Sequence, residues 1–137
     1  MTKVSFSNHA AAIVPKQDRD RLRKFYCDVL GCTMAKEPES LASQRGLEKD
    51  IFRMGDDFFI VYLYDDVDDQ SDFLRSGRSI YLEVKADNVE EMRKNIVAFG
   101  VKVVEIPDPH LYFQAPGGQV FKLVGTNEDL SIYEGND

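Results

Sequence analysis

Two cysteines, Cys27 and Cys32, are too few for a disulfide framework and lack the C-x-x-C spacing of zinc or redox motifs, so both read as reduced, packed thiols. Glycine and proline together number 14 (9 + 5), which excludes low-complexity chain; 137 residues with 43% apolar and 30% charged content suit one compact domain. No run approaches the roughly 20 apolar residues of a membrane-spanning helix, and the start, MTKVSFSNHA, lacks a signal peptide's apolar core. The expectation is a cytoplasmic protein with no membrane partner. Lys and Arg number 17 against 24 Asp and Glu, a net charge of -7 with no basic patch along the chain, which argues against a nucleic-acid partner. No Ser-His-Asp elbow, no P-loop and no G-x-G-x-x-G follows a strand, so nucleophilic hydrolysis and nucleotide binding have no support.

What is present is an internal repeat of about 70 residues, each copy reading strand, helix and then three strands. In the first copy HAAAIVP is a strand, and QDRDRLRKFYCDVLG carries Leu22, Phe25, Tyr26, Val29 and Leu30 at helical spacing, with Gly31 at the C′ position. In the second, SIYLEV is a strand, Asp87 with Glu90 forms a capping box, and Val89, Met92, Ile96 and Phe99 recur at helical spacing before Gly100. The β-rich runs TMAKE, DIFRM and DFFIVYLYD complete the first unit, and VKVVEI, HLYFQA and QVFKLVG the second, with Gly117-Gly118 as a turn. The fold class expected is α+β: two βαβββ modules in a cupped, mostly antiparallel mixed sheet with helices on its outer face. One domain spans residues 1–125, with module one at 8–65, an acidic linker at 66–77, module two at 78–125 and an acidic tail at 126–137.

Alternation along the strands sorts side chains between two environments. Ala10, Ala12, Val14, Val61, Leu63, Ile80, Leu82, Val84, Phe121 and Leu123 take the helix side. His9, Ile60, Tyr62, Tyr64, Ser79, Tyr81, Glu83, Val120, Lys122 and Val124 take the opposite one. Polar and aromatic groups mixed on one face suit a binding cavity better than a dry core. The ligand-binding set expected is His9, Tyr62, Ser79, Tyr81, Glu83 and Lys122. Structural roles stand beside it: His9 as a hydrogen-bonded strand residue, Glu83 and Lys122 as a mutually neutralising pair, and Tyr62, Tyr64, Tyr81 and Tyr112 as filling aromatics. His110 is expected in an exposed loop, and the aspartates at 65, 66, 68 and 69 in a solvated linker rather than a calcium loop.

The strand beginning with His9, the R-x-x-x-F-Y-x-D-V-L-G block from Arg21 to Gly31 and A-P-G-G-Q-V-F-K-L-V from Ala115 to Val124 together resemble the vicinal oxygen chelate superfamily, over residues 8 to 125. That superfamily includes glyoxalase, fosfomycin- and bleomycin-resistance and extradiol dioxygenase proteins. The resemblance implies paired βαβββ modules, a homodimer, and in the enzymes a divalent metal held by His, Glu, His or Gln, and Glu. Carried over residue by residue, His9 keeps the first ligand position, while Tyr62, Ser79 and Lys122 occupy the other three. The expectation is therefore no metal and no cofactor. A small-molecule binding protein of the bleomycin-resistance type follows, its negative charge favouring a cationic or aromatic ligand. The alternative is a lyase or dioxygenase-type enzyme with a reorganised site, in which His9, Glu83 or Tyr62 serves as acid or base.

Overall fold

The computed structural model describes residues 3, 6–36, 48–64, 81–106 and 109–128; the side chain of Tyr64 and all of Ser79, Ile80, the expected linker and the tail beyond 128 lie outside them. In chain order the elements are β1 (His9–Pro15), a 3-10 turn (Lys16–Asp18), α1 (Arg19–Arg23), a π-helical stretch (Lys24–Val29), β2 (Thr33–Ala35), β3 (Glu48–Met54) and β4 (Asp57–Tyr64). The second half repeats the order with β5 (Tyr81–Ala86), α2 (Val89–Phe99), β6 (Lys102–Val103), β7 (Leu111–Gln114) and β8 (Val120–Gly125).

Pairing yields two four-stranded sheets of identical order, β1-β4-β3-β2 and β5-β8-β7-β6. The outer strand of each pairs in parallel with the module's last strand, and the remaining ladders are antiparallel. The architecture is α+β with two βαβββ modules, as the repeat predicts, in two separate open sheets among the described residues.

Three local expectations are corrected. The first helix is not uniform: it tightens to a 3-10 turn at its start and widens from Lys24, where Leu30 N donates to Phe25 O at 3.0 Å, five residues back. The capping box of α2 sits one residue later than expected. Asn88 Oδ1 accepts from Glu91 N at 3.2 Å while Asn88 Nδ2 donates to Glu91 Oε2 at 2.9 Å. Asp87 instead accepts the Thr126 hydroxyl at 2.9 Å, fastening the end of β8 to the start of the helix. Finally, VKVVEI pairs only over Lys102–Val103, followed by a single bond from Val104 N to Tyr112 O at 2.8 Å.

The core joins both modules through helix-side residues. Tyr26 stacks on Phe52 and Phe59 at 4.8 and 5.3 Å, and meets Phe121 of the second sheet edge-on at 6.1 Å. Phe25 contacts Phe99 of α2 and Phe113 of β7 at 5.2 and 5.8 Å, and Phe59 meets Phe121 at 5.6 Å. Such ring pairs contribute about 0.5–1.5 kcal/mol each beyond area burial. The alternation read from the sequence holds: Val14, Val61, Leu63, Phe121 and Leu123 are buried in this cluster, with Ala10, Ala12, Leu82 and Val84 packed against it. Among the described residues the Tyr26 hydroxyl has no hydrogen-bond partner, and burial pushes it well above the usual phenol range, so it remains a neutral part of the core.

Candidate functional site

The faces turned away from the helices, here called the far faces, carry the residues singled out from the sequence. On the second sheet Tyr81, Glu83 and Lys122 come together with Tyr112. Glu83 and Lys122 are register partners in the parallel β5–β8 ladder, and Tyr112 lies opposite Lys122 in the antiparallel β7–β8 ladder. Lys122 is only 3% exposed, yet its Nζ lies 3.4 Å from Glu83 Oε1 and 5.9 Å from the centre of the Tyr112 ring. The Glu83 side chain is 35% exposed. The mutual neutralisation anticipated for this pair is therefore present, with the ammonium inside and the carboxylate at the rim. Tyr81 is 47% exposed and meets Tyr112 edge-on at 5.3 Å, leaving part of its own ring surface open.

The other two described members of the set stand on the first sheet. His9 is exposed at the start of β1, its Nδ1 3.0 Å from Asn8 Oδ1. Tyr62 is half-buried on β4, in register with Ile13 and Lys49, and Lys49 Nζ lies 5.5 Å from its ring centre. The structure thus gathers three of the six in one place, sets two on the neighbouring sheet, and leaves Ser79 outside the described residues.

Sequence reasoning missed Lys49 as the companion of Tyr62 and missed a charged cluster on the helix side of β3. Asp50, 2% exposed, accepts from Arg23 Nε and Nη2 at 2.9 and 2.7 Å and from Arg19 Nη2 at 3.0 Å. Glu48 extends the cluster to Lys16 and Arg19. The signal was available: alternation puts Asp50 among helix-side residues, and Arg19 and Arg23 are four apart on one helical face. His110 also departs from expectation, being half-buried and paired through Nε2 with Glu128 rather than exposed. Cys27 and Cys32 are half-buried free thiols; burial pushes both up, Cys32 to about 11, so neither is a ready thiolate.

A metal in the resemblance's position does not fit these residues. The ammonium of Lys122 fills one ligand position from inside the protein, Tyr62 fills another as a phenol facing Lys49, and among the described residues no three His, Cys, Asp or Glu converge as a metal would require. A shallow groove elsewhere is lined by Asp18, Arg21, Lys102 and Gln114 with the turn at 115–118.

No family model matches the sequence, and no curated protein does. Solved structures do resemble it. A glyoxalase family protein from Bacillus anthracis superposes with a TM-score of 0.68 at 14% identity, covering 91% of this chain and 98% of its own. The fosfomycin resistance protein FosX from Mesorhizobium loti gives 0.64 at 16% identity, covering 97% and 99%. A mutant FosX from Listeria monocytogenes, complexed with Mn(II) and 1S,2S-dihydroxypropylphosphonic acid, gives 0.66 at 14% identity, covering 96% and 99%. Likenesses at such identities concern the fold, and over almost its whole length the chain shares the fold of these glyoxalase-family and FosX structures.

Proposed function

We propose that the chain binds a small aromatic molecule on the far face of its second sheet, without a resident metal and without transforming it. The observation that carries this reading is the buried Lys122. As an ammonium it has no lone pair to offer a metal, and the Glu83 carboxylate beside it is engaged as its ion-pair partner. The exposed Tyr81 ring beside buried Tyr112 supplies a stacking surface at the same place.

The direct test follows 2-naphthol fluorescence on titration with the protein. Saturable binding is expected, with Tyr81→Ala raising Kd roughly fivefold, the size of about 1 kcal/mol of ring contact, and Tyr81→Phe restoring most of it. Absence of saturable binding to the unaltered chain would overturn the reading.

A second copy belongs to this proposal. Among the described residues both sheets are open, with β1 and β2 at the edges of one and β5 and β6 at the edges of the other, and open edges invite cover. Light scattering is expected to return twice the chain mass of 15.6 kDa at micromolar concentration. A monomer mass would remove the second copy from the account.

A further inference from the structure

The groove lined by Asp18, Arg21, Lys102, Gln114 and the turn at 115–118 has a volume of about 370 Å³ and shares no lining residue with the far-face site. It lies on the seam between the modules. The helical run after β1 supplies Asp18 and Arg21, the start of β6 supplies Lys102, and the end of β7 supplies Gln114. One wall is fixed by contact. A Cβ added at Gly117 would come within 2.6 Å of Val14 and 3.2 Å of Leu22, so the turn is seated on module one with no spare room.

The polar groups of this groove are uncommitted. Lys16, Arg19 and Arg23 are taken up by Glu48 and Asp50, whereas among the described residues Asp18, Arg21 and Lys102 have no ion-pair partner. Asp18 makes no side-chain cap bond to the helix it precedes. Asp18 and Arg21 stand three apart, close enough to pair, yet the guanidinium carbon of Arg21 lies over the Phe99 ring, 4.9 Å from its centre. Stacking holds the planar fork in place and leaves its N–H edge for a carboxylate. Gln114 is oriented by its own turn: Nε2 donates to Gly118 O at 3.1 Å, so Oε1 is the end left to accept.

Groups of both signs therefore line one small groove. A guanidinium and an ammonium call for a carboxylate, while the Asp18 carboxylate, about one helical turn from Arg21, and Gln114 Oε1 call for an ammonium. A simple anion would be repelled by Asp18, and a simple cation by Arg21 and Lys102. A molecule that carries both charges on adjacent atoms of one carbon meets all four groups. Val101, Ala115 and Pro116 supply apolar wall for its side chain.

We infer that this groove is a second ligand site, independent of the far-face site, and that it takes a free α-amino acid. A peptide, which separates the two charges, does not meet the pattern.

The experiment titrates the isotope-labelled full chain, followed by heteronuclear NMR, with L-leucine, 4-methylpentanoate and 3-methylbutylammonium. The three share an alkyl group and carry both charges, the negative one alone and the positive one alone. L-leucine is expected to shift the amides of Val101, Lys102, Gly117 and Gly118 saturably, with a Kd on the order of 1–10 mM, and each single-charge probe to bind about fivefold more weakly. Asp18→Asn is expected to weaken L-leucine about fivefold while strengthening 4-methylpentanoate, a reversal that a merely structural role of Asp18 would not give. Lys102→Gln, at an exposed position, is expected to weaken L-leucine and 4-methylpentanoate but not 3-methylbutylammonium. Absence of saturable shifts at these amides, or 4-methylpentanoate or 3-methylbutylammonium binding as tightly as L-leucine, overturns the inference. Neither result bears on 2-naphthol binding at the far face.

Discussion

Replacing Arg19 and Arg23 together by methionine is expected to cost about 3–5 kcal/mol of stability at neutral pH, because it leaves the Asp50 carboxylate buried without its counter-charges. Methionine keeps most of the apolar stems, so the loss reports the charges. Burial pushes the Asp50 carboxyl up, but hydrogen bonds from Arg23 and Arg19 and the charge of both outweigh it and hold the group below the usual carboxylate range. A lowered native value contributes stability that is present above the unfolded value and fades as pH falls through the native one. In the double variant burial acts alone, so Asp50 takes up a proton more readily and the deficit narrows in acid. Urea unfolding at pH 7 and pH 4 measures both effects. A loss under 1 kcal/mol, equal at the two values, would show that the cluster is a surface feature.

Gly117→Ala is expected to destabilise by about 2–4 kcal/mol, combining a left-handed backbone with a steric clash. At φ +94° the position already disfavours a side chain, and an added Cβ would lie 2.6 Å from Val14 Cγ1 and 3.2 Å from Leu22 Cδ1. The turn between β7 and β8 is thus pressed directly onto β1 and α1 of the other module. Gly118→Ala is the internal comparison: φ is +107°, but the nearest atom is Gln114 Nε2 at 3.9 Å, so only backbone strain of about 1–2 kcal/mol is expected. Thermal unfolding of the two variants separates the terms, and equal losses would remove the claim of tight contact.

Much of the fold was legible because it depends on period. Two apolar helices after two short strands, and alternation in DFFIVYLY and VFKLVG, placed Val61, Leu63, Phe121 and Leu123 correctly against the helices. Local capping was less legible, since Asp87-Asn88 offers two good caps in a row; in the fold Asp87 accepts from the hydroxyl of distant Thr126 while Asn88 caps the helix. His110 was misjudged for a similar reason, its partner Glu128 being 18 residues away. At the candidate site, alternation gave the face of Tyr81, Glu83 and Lys122 but not the depth of each. That Lys122 is enclosed while Glu83 stands at the rim follows from packing across strands, which no single segment encodes.

The central claim is that an enclosed lysine, not a metal ion, supplies the positive charge of the candidate site. Elemental analysis of protein purified from medium supplemented with Mn, Fe, Ni and Zn tests it most directly. The account predicts far less than one equivalent of any of these ions per chain, with the small remainder unaffected by His9→Ala. About one equivalent of a single metal, lost on His9→Ala, would contradict it and establish a metal-dependent lyase or dioxygenase-type site in its place.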